Sequence, residues 1–138
     1  MAFNDLTIED VYDNFSHIED WEDKYMYIID LGKKIFKISD QFKTPEYLIE
    51  GCVSRAWIKE FKIGNHLEFK ADSDSQIVKG LIAILLIVYN GKSPQLILDV
   101  DIEQVFYKLN LMQHLSGNRA NGLRSMVNKI KSMARKHL

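Results

Sequence analysis

The residue with the clearest chemical potential is Cys52, which is the only cysteine in the sequence. It follows Glu50 and Gly51 directly, and a glycine there allows a tight turn or a positive φ angle. A thiol on such a loop can be presented to a partner. Once ionised to the thiolate, it is a nucleophile. The alternative is a small buried side chain, the commonest environment of a free cysteine. Glu50 would raise the pKa of the thiol, and a cation such as Arg55 would lower it.

The other residue types that often catalyse reactions form no recognisable site. A single cysteine excludes an internal disulfide and a cysteine-rich zinc site, and the sequence has neither a phosphate-binding glycine loop nor a Gly-x-Ser-x-Gly elbow. The histidines lack metal-like spacing, so we expect no metal. We expect His66 and His137 to be solvated and His114 to make a structural hydrogen bond. The histidines stand at positions His17, His66, His114 and His137.

Length and charge exclude several classes of protein. The 138 residues, 46% hydrophobic and 27% charged, predict one globular domain over residues 1–138. The longest uncharged apolar run, residues 81–89, is far shorter than the roughly 20 residues of a membrane-spanning helix. The N-terminus lacks the features of a signal peptide, so we expect a cytoplasmic protein.

The net charge of −1 hides a gradient along the chain. Residues 1–50 carry 12 acids and 5 bases, residues 51–115 carry 7 of each, and residues 116–138 carry 6 bases and no acid. The basic residues of the last segment favourably oppose the dipole at a helix C-terminus. No aromatic residues are interleaved with them, so we expect no binding of nucleic acid.

The elements that must position Cys52 follow from hydrophobic spacing and capping residues. Helices are predicted after Thr7 and from Asp20 to about Gly32. A side-chain pattern that repeats every two residues predicts a strand over residues 53–63, with Val53, Trp57 and Phe61 on one face. A turn at residues 64–65 and a returning strand are predicted to follow. Residues 47–49 are expected to add a third short strand.

The second half of the chain is predicted to be helical. Ser73 and Gln76 have the spacing of a capping box and open the most apolar helix, which Asn90 and Gly91 end. Further helix starts are predicted at Ser93, Asp101 and about Asn118. The sequence therefore predicts an α+β fold with a small antiparallel sheet of about three strands packed by helices.

Four blocks of the sequence resemble the SufE family of sulfur-acceptor proteins. Gly51, Cys52, Ser54 and Trp57 stand at the spacing of the family's Gly-Cys-x-Ser-x-x-Trp motif. Three further segments are similar to the family's second helix, its strand-to-helix junction and the start of its final helix: residues 21–32 (WEDKYMYIIDLG), 72–83 (DSDSQIVKGLIA) and 114–123 (HLSGNRANGL). The blocks cover nearly the whole chain in order, which is far more specific than a lone cysteine.

The resemblance implies a role in sulfur transfer. A SufE protein accepts sulfane sulfur from a PLP-dependent cysteine desulfurase, SufS, as a persulfide, here on Cys52. It stimulates the desulfurase and passes the sulfur to the SufBCD scaffold for iron–sulfur cluster assembly. The chain is then an acceptor and activator rather than a free-standing enzyme, and it needs no cofactor because the PLP belongs to the partner. The resemblance also implies a fold similar to the IscU scaffold and leaves a monomer or a homodimer open.

The resemblance also assigns roles to residues around Cys52. Gly51 and Ser54 support the cysteine, and Arg119 is the candidate cation near the thiolate or persulfide, with a surface ion pair as the alternative. Asp74 contacts the desulfurase or serves only the helix dipole. Because an exposed persulfide would be lost to reductants, we expect Cys52 to rest in a partly apolar pocket and to swing out on docking.

Two further expectations concern single residues. We expect Trp57 to be a core residue beneath the loop that carries Cys52. Gly117 stands where the family usually has a proline, and a proline at the first helical position is preorganised for a helix. We therefore expect the last helix to begin more loosely here than in similar proteins.

Other functions remain open on the sequence. A CsdE-type acceptor would serve a paralogous desulfurase. A stand-alone enzyme would use Cys52 as a nucleophile and needs a histidine or another base within about 3 Å of the sulfur. A thiol-independent interaction module would stay fully active as the Cys52→Ser variant.

Overall fold

The computed structural model of this protein describes residues 5–138. Residues 1–4 lie outside the described residues. They begin the N-terminal segment on which the expectation of a cytoplasmic protein rests. The described part forms six α-helices and two β-strands, with short 3₁₀ turns at Asp40–Phe42 and Met112–His114. The elements in chain order are α1 (Ile8–Ser16), α2 (Trp21–Gly32), β1 (Ala56–Ile63), β2 (His66–Ser73), α3 (Gln76–Tyr89), α4 (Pro94–Asp99), α5 (Ile102–Leu109) and α6 (Gly117–Arg135).

Local capping chemistry sets the start of most helices. Thr7 forms a full capping box with Asp10, and the Asp20 carboxylate accepts a hydrogen bond from the Asp23 amide. Ser93, followed by a proline at the first helical position, and Asp101 begin α4 and α5. These helix starts confirm the predictions. α6 begins at Gly117 with Ser116 as its cap, close to the predicted start.

The start of α3 differs from the prediction. Its cap is Ser75, whose hydroxyl accepts a hydrogen bond from the Val78 amide, and not Ser73. Ser73 still belongs to β2, where its hydroxyl donates to the Arg55 carbonyl and accepts from the Ser75 amide. The predicted capping box of Ser73 and Gln76 is therefore wrong, because the hydroxyl of Ser73 binds the end of the cysteine loop, residues 50–55, to β2.

The sheet is a two-stranded antiparallel hairpin rather than the expected three strands. β1 and β2 pair from Ala56 opposite Ser73 to Ile63 opposite His66. The predicted third strand, residues 47–49, makes only one antiparallel bridge, between Leu48 and Trp57. A turn precedes it, with the Leu48 amide donating to the Thr44 carbonyl, and the cysteine loop follows, so the extended segment is too short for a strand.

β1 meets the core with the face opposite to that of Trp57, which the sequence predicts to be a core residue. β1 begins at Ala56, not at Val53, whose side chain is 80% exposed. Ala56 and Ile58 are buried, whereas Trp57 and Phe61 lie on the half-buried face. Trp57 is therefore not a core residue: the Lys43 ammonium lies 5.3 Å from its ring centre and the Arg55 guanidinium 5.7 Å.

Helix α3 is the centre of the hydrophobic core. It is apolar nearly all round, as expected of a helix covered by neighbours on several sides. α2 crosses it at glycine contacts so close that a Cβ on Gly80 would lie 2.2 Å from the Ile28 carbonyl oxygen. The remaining helices complete one buried cluster, to which α6 contributes a stripe that includes Leu123, Met126 and Ile130. No helix among residues 5–138 has the length and apolarity needed to cross a membrane.

Candidate functional site

The cysteine loop connects Ile49 to the first residue of β1. Gly51 has a φ angle of +88°, a conformation that other residues rarely adopt, which confirms the expected glycine turn. A Cβ at Gly51 would lie 2.4 Å from the Ser125 hydroxyl oxygen, so the loop rests directly on α6. The loop thus presents Cys52 to the N-terminal half of that helix.

Cys52 is half-buried and faces a cavity of about 310 Å³. One part of the cavity wall is apolar and the other is polar. The apolar side chains are Val53, Val78, Leu81 and Met126. The polar side chains are Ser54, Ser116, Asn118 and Arg119. A sulfur atom has only a fraction of this volume, so the cavity has room for an additional sulfur on Cys52.

The sulfur of Cys52 makes a hydrogen bond with the backbone of α6. Its thiol donates a hydrogen bond to the Gly122 carbonyl oxygen, with 3.6 Å between sulfur and oxygen. A Cβ on Gly122 would lie 3.2 Å from the same sulfur. Burial raises the pKa of the Cys52 thiol above its ordinary value, because the charged form loses hydration. Burial thus favours the neutral thiol in this resting position of the loop.

Arg119 lies in the first turn of α6 and lines the cavity with Cys52. Its backbone amide donates to the Ser116 hydroxyl. Within residues 5–138 its guanidinium takes part in no ion pair, unlike that of Arg124 in the same helix, which pairs with Glu103. The structure thus places Arg119 in the wall of the same cavity as Cys52, and within residues 5–138 it does not show the surface ion pair considered as its alternative.

Asp74 lies on the other side of the cysteine loop, at the end of β2. Its carboxylate is 3.3 Å from the Arg55 side chain, and its amide donates to the Arg55 carbonyl. Both side chains are exposed. Because Ser75 caps α3, Asp74 stands just outside the helix. It fixes the exit of the cysteine loop and does not line the cavity.

Several residues of the site escape sequence analysis. Val78, Leu81 and Met126 reach the cavity wall only because α3 and α6 meet there. Gly122 has a local signal, since a glycine inside a helix costs roughly 0.5–1 kcal/mol relative to alanine and usually marks a close packing contact. Nothing in the sequence, however, says that its neighbour is Cys52.

The histidines lie away from this cavity. Nδ1 of His114 is 2.9 Å from the Asn110 carbonyl oxygen, and its ring stacks on Trp21, which confirms the predicted structural hydrogen bond. His137, predicted to be solvated, instead has Nε2 3.4 Å from the buried Glu60 carboxylate. In the described part of the chain, no three side chains of histidine, cysteine, aspartate or glutamate form a group that could hold a metal ion.

Comparison with known proteins identifies similar sequences along nearly the whole chain. A family model described as "SufE: Fe-S metabolism associated domain" matches residues 9–134. An uncharacterized SufE-like protein of Rhizobium meliloti strain 1021 is 39% identical over 132 residues, which cover 93% of this chain and 94% of that protein. A second, from Rhizobium etli, is 38% identical over 133 residues and covers 94% of this chain and 90% of that protein.

The fold also has a counterpart among solved structures. The solution structure of a hypothetical protein from Thermus thermophilus matches with a TM-score of 0.76 and covers 94% of each chain. The two sequences share 14% identity, so this similarity concerns the fold alone.

Proposed function

Because the chain belongs to the SufE family of Fe–S metabolism proteins, we propose that it accepts persulfide sulfur on Cys52 from a PLP-dependent cysteine desulfurase of the SufS type. It stimulates that desulfurase and hands the sulfur to a SufBCD scaffold. The observation that carries the proposal is the position of the only thiol in the chain, half-buried on a glycine-turned loop at the mouth of a cavity with spare volume.

The transfer is a thiol exchange that needs no oxidant. The Cys52 thiolate attacks the outer sulfur of the donor persulfide, a new S–S bond forms at Cys52, and the donor's S–S bond breaks. The bonding electron pair leaves with the donor cysteine as its thiolate. The outer sulfur keeps its own proton or releases it to solvent. In delivery, an acceptor thiolate attacks the outer sulfur on Cys52, and Cys52 leaves as the thiolate.

The resting site protects the thiol, so the reaction requires a change at docking. Burial raises the pKa of Cys52, which keeps little thiolate present at neutral pH. Displacement of the loop toward the partner would hydrate the sulfur and remove that effect. Arg119, beside the cavity and without an ion pair inside residues 5–138, can then stabilise the anion.

A single thiol also suits a carrier, since the persulfide cannot be discharged as an internal disulfide. The apolar part of the cavity wall shelters the outer sulfur from reductants in solution. Asp74 is the proposed partner contact, because it is exposed and adjoins the exit of the cysteine loop.

The stand-alone enzyme is less well supported by this site. A cysteine nucleophile for small electrophiles needs a base in hydrogen-bonding reach. Among the residues that the structure describes, those lining the cavity include neither a histidine nor a carboxylate. Within residues 5–138 the hydrogen-bond partner of the sulfur is a backbone carbonyl, which takes up no proton.

A desulfurase turnover assay tests the proposal. Sulfide release from L-cysteine by the SufS-type enzyme is measured alone, with this protein and with its Cys52→Ser variant. We expect stimulation by the wild-type protein and none by the variant, with Ser132→Ala, an exposed serine of α6 outside the cavity wall, as the control for a neutral change. Full stimulation by Cys52→Ser would contradict the proposal. The same assay with a paralogous desulfurase decides between the SufE-type and CsdE-type roles.

A further inference from the structure

The Gly122 carbonyl is placed to distinguish an empty Cys52 from a loaded one. It accepts a hydrogen bond from the thiol at 3.6 Å, and a carbonyl oxygen has a second lone pair for this in addition to its helical bond. Gly122 is buried in α6, and a Cβ there would lie 3.2 Å from the sulfur and 3.8 Å from the Cys52 Cα. A methyl group on Gly122 would therefore push the sulfur away from the helix by a few tenths of an ångström.

Loading removes the hydrogen that makes this contact. In a persulfide the inner sulfur, Sγ, is bonded to Cβ and to the outer sulfur, so it carries no hydrogen. The new S–S bond is about 2.05 Å long, and an outer sulfur pointing along the former S–H direction would collide with the Gly122 oxygen. The side chain must turn away from that oxygen into the rest of the cavity, toward the wall formed in part by Arg119.

We propose that Gly122 is a positioning residue whose carbonyl holds the cysteine loop in its resting place only while Cys52 carries a free thiol. Loading breaks this contact and makes the loop easier to open, which favours delivery over retention. The inference rests on the proposed function, because it concerns the sulfur state of the same cysteine. It adds a site-specific link between that state and the position of the loop.

Chemical modification of the isolated protein tests this link without the desulfurase. Methyl methanethiosulfonate converts the Cys52 thiolate to Cys–S–S–CH₃ and releases methanesulfinate, so Sγ again bears no hydrogen. Amide hydrogen exchange is then measured at the two ends of the loop, where the Ile49 amide donates to the Ala56 carbonyl and the Asp74 amide to the Arg55 carbonyl, for the free and modified forms of the wild type and Gly122→Ala. Ser125→Ala is the matched control, because Ser125 lies on the same helix but faces Gly51.

We expect modification to speed exchange in the wild-type loop by about two- to tenfold, the effect of losing one neutral hydrogen bond. Unmodified Gly122→Ala should already exchange at the faster rate and gain less than about twofold on modification, whereas Ser125→Ala should respond like the wild type. No increase in the wild type would overturn the inference. Equal increases in the wild type and Gly122→Ala would also overturn it, because simple crowding by the methylthio group gives that result.

Cys52→Ala provides a second route that leaves Gly122 unchanged. This variant has no thiol donor, so its loop should exchange like that of the modified wild type. Exchange as slow as in the free wild type would show that the S–H contact does not hold the loop. Because no desulfurase is present, these outcomes are independent of whether the protein stimulates one.

Discussion

Gly51 packs so closely on Ser125 that a methyl group on the glycine would come within 2.4 Å of the serine oxygen and 3.3 Å of the serine Cβ. The contact lies one helical turn from the place where Cys52 meets Gly122. Two successive residues of the cysteine loop are thus seated on two positions of α6. The loop is positioned by a helix that lies about 70 residues further along the chain.

Gly51→Ala should displace this loop. The positive φ angle and the contact with Ser125 both oppose a side chain there, and a residue forced into such a conformation costs about 1–3 kcal/mol. We expect a lower melting temperature and faster alkylation of Cys52 by iodoacetamide. Gly64→Ala is the control, since Gly64 has φ of +61° but no atom within 4 Å of the position that its methyl group would occupy. It should lose stability without a change in alkylation, and equal alkylation rates in both variants would contradict the seating of the loop.

Gly80→Ala should destabilise the core. Its methyl group would meet backbone atoms of Ile28, which cannot rotate away, so α2 and α3 would have to separate. Overpacking of this kind costs about 1–3 kcal/mol or more. Gly117→Ala, at an open position in the first turn of α6, should leave stability unchanged or raise it slightly. Urea unfolding of both variants measures the difference, and a neutral Gly80→Ala would show that the two helices are not in this contact.

The alkylation rate of Cys52 should have a pH midpoint above that of an unperturbed cysteine, about 8.5. Burial raises the pKa of the thiol in the folded protein, and in denaturant the midpoint should return to the ordinary value. Because the folded pKa is the higher one, the stability contributed by the neutral thiol is fully present below the unfolded pKa and is lost as pH rises through the folded pKa. Cys52→Ala should lack that loss. A folded midpoint at or below the denatured one would contradict the buried resting state.

How much of the fold can be predicted from the sequence depends on the range of the interactions. Thr7, Asp20, Ser93 and Asp101 cap their helices through atoms three residues away, so local sequence is enough to predict them. The predicted cap of α3 is wrong because the Ser73 hydroxyl donates to the carbonyl of Arg55, which is 18 residues away.

The orientation of β1 shows the same limit. Trp57 is predicted to be a core residue, but in the structure its face of β1 is covered by a loop that the alternation pattern does not reveal. The Lys59 ammonium lies 4.8–5.2 Å from the ring centres of Phe42, Tyr47 and Phe61, so this face is closed by cation–π contacts. The motif is enough to identify Cys52 and its glycine turn, whereas Gly122 and Ser125 require the folded chain.

Arg119→Ala should slow sulfur loading without loss of stability. Arg119 lines the cavity and makes no ion pair in the part of the chain the structure covers, so its removal leaves no carboxylate unpaired. A charge-assisted contact to the sulfur anion is worth about 1.5–3 kcal/mol, which corresponds to a loading rate at least about tenfold lower. Arg124→Ala, in the same helix but paired with Glu103, should load at the wild-type rate. Equal rates of sulfur loading in both variants would show that Arg119 does not stabilise the sulfur anion.

Intact-mass measurement of the protein after incubation with its desulfurase, PLP and L-cysteine is the most direct test of sulfur acceptance. With one cysteine in the chain, any added sulfur is assigned without digestion. The account predicts a mass increase of one sulfur atom on the wild-type protein, reversed by a thiol reductant and absent from Cys52→Ser. An unmodified wild-type mass under conditions in which the desulfurase itself carries a persulfide, or the same increase on Cys52→Ser, would contradict it.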